Sequence, residues 1–153
     1  MSQTTIFNII TCNPLTGSQK RKILSVIMTI SHECIRTWMK HLSDFVHSLD
    51  LVRARPQRNW LKSKPERTVN SVLAVPGKEF AIYLADGREK DEKGAGSPIE
   101  GALVFKLPAG TFRFSCFSPV AGLYSPWAEL EGGQEVRLSL PEFVHDIAVR
   151  IRK

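Results

Sequence analysis

From Val69 onward, apolar residues recur at every second position in short runs, and each run stops at a cluster of turn-forming residues. Successive side chains of a β-strand point to opposite faces, so such a run has one apolar face to bury. The series begins with Val69–Val75 and continues with Phe80, Ile82 and Leu84, then Leu103, Phe105 and Leu107. Phe112, Phe114 and Cys116 follow, then Val136, Leu138 and Leu140, then Ile147, Val149 and Ile151. Pro76-Gly77-Lys78, Asp86-Gly87, Pro108-Ala109-Gly110, Ser118-Pro119 and Glu131-Gly132-Gly133 supply the breaks. Six short strands at this spacing predict a mainly β fold, an antiparallel β-sandwich over residues 69–153, rather than a βαβ arrangement. Residues 85–98 are polar and Gly-rich, which predicts an exposed, mobile loop.

Ahead of the strands the period is helical. Ile35, Trp38, Met39, Leu42, Phe45, Val46 and Leu49 form one stripe, with Arg36, Lys40, Ser43, Asp44 and His47 opposite. Ser31 is suited to cap the helix and Glu33 to its first turn. The stripe is expected to face a core, either the sandwich or structure outside this sequence. If no such structure covers it, residues 31–52 are expected to expose apolar surface. Residues 31–68 therefore read as an amphipathic α-helical arm followed by a basic linker, whereas residues 1–30 give no firm structural signal.

Charge follows the same division. Residues 1–67 hold 11 basic and 4 acidic side chains, and residues 68–153 hold 10 and 11. In the linker, Arg53, Arg55, Arg58, Lys62, Lys64 and Arg67 surround Trp60, a mixture of cations and an aromatic that single-stranded nucleic-acid sites use. Only one aromatic is present and no nucleic-acid-binding motif accompanies it, so Trp60 reads as a packing anchor. Cys12, Cys34 and Cys116 are too few and too scattered for a disulfide framework or a zinc site. Cys34 and Cys116 fall on apolar faces and are expected in the core. Ile23–Ile30 is far short of the roughly 20 residues a bilayer span requires. Lys20-Arg21-Lys22 before it lacks the cleavage context of a signal peptide.

Several stretches resemble one bacterial family. Gly110-Thr111-Phe112-Arg113-Phe114 followed by Ser118-Pro119-Val120-Ala121-Gly122 is similar to a stretch of the C-terminal β-sandwich labelled collagen-binding. That sandwich follows a glycoside-hydrolase-like (β/α)8 barrel. Gly77–Leu84 resembles one of its strands, Leu140–Phe143 with Asp146–Ile151 its closing strand, and Leu42–Pro56 the barrel's last helix and exit. The resemblance covers residues 32–153, with Cys116 and the 85–98 loop as departures. It implies a non-catalytic accessory domain, a secreted or periplasmic setting, and a catalytic barrel lying outside this sequence, of which the chain would be a truncated piece. Nothing but the family label argues for collagen.

No catalytic residue, metal ligand or cofactor site is assigned. A glycosidase needs two carboxyl groups flanking the scissile bond. Glu33 and Asp44 sit on a helix flank, Asp86, Glu89, Asp91 and Glu92 in a loop, and Glu129, Glu131 and Glu135 around a Gly-Gly turn. His32, His41, His47 and His145 share no ligand spacing, and His145 is expected on the inward face of the last strand. The alternative function is a carbohydrate-binding module in which Tyr124 and Trp127 offer stacking surfaces for a polysaccharide. The competing reading of Trp127 is a lid on the end of the core. Nucleic-acid binding through the basic linker ranks behind both.

Overall fold

The computed structural model describes residues 33–89 and 94–153. The chain divides into two units between Thr37 and Trp38. Of the first, only residues 33–37 are described; they form the opening turn of helix α1 (residues 33–47), where the Thr37 hydroxyl donates to the Glu33 carbonyl at 2.9 Å. Ser31, the expected cap, lies outside the described residues.

The second unit is an antiparallel β-sandwich. Its strands are β1 (Arg55–Pro56), β2 (Leu61–Ser63), β3 (Thr68–Val75), β4 (Glu79–Asp86), β5 (Ile99–Lys106), β6 (Thr111–Ser118), β7 (Leu123–Tyr124), β8 (Ala128–Glu131), β9 (Glu135–Phe143) and β10 (Asp146–Arg152). One sheet runs β1-β3-β4-β10-β6-β7, with β8 also pairing β6, and the other runs β2-β5-β9. The six expected strands are the six long ones. Their facing side chains make the core: Phe80, Ile82 and Leu84 with Ile147, Val149 and Ile151 from one sheet, and Leu103, Phe105 and Leu138 from the other. Along β9 the exposed Glu135, Arg137 and Ser139 alternate with buried Val136, Leu138 and Leu140, so that sheet's outer face is wet.

The central strands β4 and β10 are buried on both faces because α1 lies across the outer side of the larger sheet. Small residues, Ala81 and Ala148, let the helix approach, and Phe45 and Leu49 settle over them with Phe117. The Phe45 and Phe117 rings stack at 5.1 Å and 9°. Burying these two side chains contributes roughly 2–3 kcal/mol each. A polar latch fixes the end of the helix. Buried Arg150 donates to Glu79 at 2.7 Å and to the Ser48 hydroxyl at 2.9 Å, and Arg152 shares Glu79.

Three expectations need correction, and the stripe of α1 meets in part the expectation that residues 31–52 expose apolar surface. The stripe of α1 is covered only in its second half: Trp38 is 40% and Met39 61% exposed, and Ile35 is exposed too. The sheet takes Phe45 and Leu49, whereas the first two turns carry no comparable burial. Cys34 is exposed rather than in the core, while Cys116 is buried. The 85–98 segment starts as packed structure, because β4 runs to Asp86 and a 3-10 turn (Gly87–Glu89) buries Arg88 against it; residues 90–93 lie outside the described set. His145 sits in the corner before β10, exposed and bonded to Glu89, because the bend turns it away from the inward face.

The basic linker is also part of the fold. Its strands pair with both sheets, Arg55 opposite Ala74 and Leu61 opposite Phe105. Asn59 takes a left-handed φ of 57°, which reverses the chain between them. Trp60 then enters between the sheets, stacked at 4.9 Å on Phe80 and 4.8 Å on Phe105. The packing reading of Trp60 fits this placement, and the ring is no open platform for a base. Among the described residues, no helix is long and apolar enough to cross a membrane.

Candidate functional site: a cleft beside the β9–β10 corner

Tyr124, one of the two residues singled out as a stacking surface, lies on a short strand whose position is strictly set. After β6 the chain turns at Ser118–Gly122, where the Gly122 N–H donates to the Ser118 carbonyl at 2.7 Å. Gly122 has φ +68°, and a Cβ there would stand 2.6 Å from the His41 ring, so only glycine fits. His41 in turn donates from Nδ1 to the Pro119 carbonyl at 2.9 Å, tying α1 to this turn. Beyond Tyr124, the Ser125 hydroxyl accepts from the Cys116 N–H at 2.9 Å, and the Ser125 carbonyl accepts from the buried Ser115 hydroxyl at 2.7 Å. Leu123 and Tyr124 are thereby held against Ser118 and Phe117. The Tyr124 ring packs 4.6 Å from Phe117 yet remains 45% exposed.

Opposite this turn is the corner between β9 and β10. The two walls enclose a cleft of about 440 Å³, lined by Phe117, Val120, Leu123 and Tyr124 on one side and by Glu142–Asp146 on the other. Most of the lining is apolar; Ser118 and Ser125 are polar on the first wall, and Glu142, His145 and Asp146 on the second, at the corner. There Tyr83 donates to Asp146 Oδ2 at 2.8 Å, while Asp146 Oδ1 is buried with no partner among the described residues. Burial raises the Asp146 carboxyl above its ordinary value, against the opposing hydrogen bond from Tyr83. Burial and the same bond push the Tyr83 hydroxyl up. Trp38 of α1 stands beside the corner, its ring 6.3 Å from His145.

Trp127 is not part of this cleft. It precedes β8 at the outer edge of β6, is 45% exposed and lies outside the core clusters. Glu142, Asp146 and Trp38 were not read as site residues from the sequence. Glu142 and Asp146 flank a corner whose sharpness is not visible in the alternating pattern, and Trp38 was absorbed into a stripe expected to be buried.

The carboxylates weighed as catalytic candidates are dispersed. Asp44 pairs with Lys40 on the exposed side of α1, Glu135 with Lys62, and Glu131 accepts from Thr111 at 3.0 Å. Asp86 is buried against Arg88 at 2.8 Å, and Glu89 is held by His145. Glu129 sits on β8 opposite Arg113. Among the described residues, no group of three His, Cys, Asp or Glu side chains is placed to hold a metal ion.

No protein-family profile matches the chain, and no curated protein matches it. Solved structures do. A chain described as a glycoside hydrolase is similar over 75% of this chain, at 10% identity and a TM-score of 0.44. A glycoside hydrolase family 5 protein from Bacteroides vulgatus ATCC 8482 is similar over 76% of it, at 10% identity and a TM-score of 0.43. In both cases the similarity covers 24% of the other protein, so this chain spans about a quarter of their length.

Proposed function

We propose that the chain is a non-catalytic accessory β-sandwich of the glycoside-hydrolase-like kind, which braces a larger body through α1. The observation that carries this reading is the half-covered helix. Its second half is locked to the sheet by Phe45, Leu49 and the Arg150–Glu79–Ser48 latch, while Trp38 and Met39 stay open to solvent. Large apolar side chains left in a row on a firmly seated helix suit a second surface. The resemblance of Leu42–Pro56 to a barrel's last helix and exit suggests what that surface is. Size-exclusion chromatography with a dye sensitive to exposed apolar surface tests the reading. Dye binding that falls sharply in a Trp38→Glu, Met39→Glu double variant is the expected outcome; a dye-silent parent protein would contradict it.

A second reading, binding of a polysaccharide, is favoured by one observation. Tyr124 is presented, half-exposed, at the wall of a cleft rather than on a flat surface.

A further inference from the structure

We infer that the cleft between the β6–β7 turn and the β9–β10 corner is a subsite for one neutral sugar ring, its C–H face on Tyr124 and its hydroxyls toward Glu142 and the Asp146 corner. The inference rests on the polysaccharide reading and is independent of the bracing role.

Four features of the molecule lead to it. The volume, about 440 Å³, falls within the roughly 300–1,000 Å³ that small-molecule sites occupy. The lining is amphipathic in the manner of a sugar: mostly aromatic and aliphatic, with Ser118 and Ser125 on one wall and Glu142, His145 and Asp146 on the other. Tyr124 is anchored on one side by Phe117 and held in register by Ser125, so its free face costs little ordering entropy on binding. Glu142, an exposed carboxylate of the lining, is able to accept hydrogen bonds from hydroxyls.

Charge separates a sugar from the competing ligand, a cationic side chain. An aromatic face attracts a cation by itself, and uncommitted negative charge beside it strengthens the hold. Here Glu89 is engaged by His145 and Asp146 by Tyr83. Glu142 is exposed at the corner and is the remaining carboxylate of the lining. One carboxylate at the rim of a mostly apolar cleft suits a hydrogen-bonding acceptor for hydroxyls better than a trap for an ammonium group.

Native affinity gels of the full chain, cast with xylan, β-mannan, mixed-linkage β-glucan or arabinan, test the inference. Retardation is expected in at least one gel and persists at high salt. Tyr124→Ala and Glu142→Gln should each weaken binding about tenfold, while Tyr124→Phe and Trp127→Ala leave it unchanged. Glu142 is exposed, so Glu142→Gln reports on the cleft even if Tyr124→Ala unfolds. Binding that survives both cleft variants and disappears in Trp127→Ala would overturn the subsite and keep the polysaccharide reading. No retardation in any gel would overturn both. Salt-sensitive capture of poly-L-lysine that Glu142→Gln abolishes, without retardation by any polysaccharide, would make the cleft a cation site and overturn the inference.

Discussion

Two carboxylates, buried Asp86 and half-buried Asp146, illustrate opposite solutions to the same cost. Asp86 lies at the end of β4 with its oxygens taken by the Arg88 guanidinium at 2.8 and 3.0 Å and by the Arg88 N–H at 2.9 Å. The Arg88 bonds hold its carboxyl at about 2, below the ordinary 3.8. A depressed acid contributes stability that is whole above the unfolded value and is lost as pH falls through the folded one. The urea midpoint should therefore decline between pH 4 and about 2. Arg88→Met should flatten that acid limb and cost about 3 kcal/mol at pH 7, because an ionised group is left buried without its partner. Asp146 has the opposite sign. Its carboxyl is raised, so its ionised form weighs against the fold as pH rises above the ordinary range. Asp146→Asn keeps an acceptor for Tyr83 and removes the charge; it should raise the urea midpoint at pH 7 and leave it nearly unchanged at pH 3. A lower midpoint at pH 7 would show that the charge is needed where it is.

Among the elements, the strands were the most legible. Each long strand carries alternating apolar residues, and nothing competes with a two-residue period. The linker was less so: Arg55–Pro56 and Leu61–Ser63 are too short and too charged to show a period, and their strand character comes from neighbours already in place. Trp60 is the residue that makes the linker structural. Because it stacks on one phenylalanine from each sheet, Trp60→Ala should cost about 3–5 kcal/mol of global stability. Phe45→Ala should instead act locally. It removes the ring that seats α1 on Phe117, so helical circular dichroism should melt earlier than the tryptophan fluorescence of the sandwich. A single coincident transition would show that helix and sandwich unfold as one.

For the whole molecule, the sandwich was readable because burial in β-sheets leaves its mark in sequence one residue at a time. The cleft was not, because it is made by two turns that meet across β6 and β10, and no local pattern records such a meeting. Tyr124 was found from its chemistry alone, and its wall partners only from the fold. The stripe of α1 left its cover open: periodicity says that a face is apolar, not that this chain covers it. Ile35, Trp38 and Met39 obey the period as well as Phe45 and Leu49 do, yet only the latter pair is buried by the sheet. An apolar row that the sheet leaves exposed is the centre of the account. Hydrogen–deuterium exchange along residues 33–49 of the isolated chain tests it most directly. The account predicts protection near that of the central strands over residues 44–49 and fast exchange over residues 33–40. Uniform strong protection from residue 33 onward would contradict it.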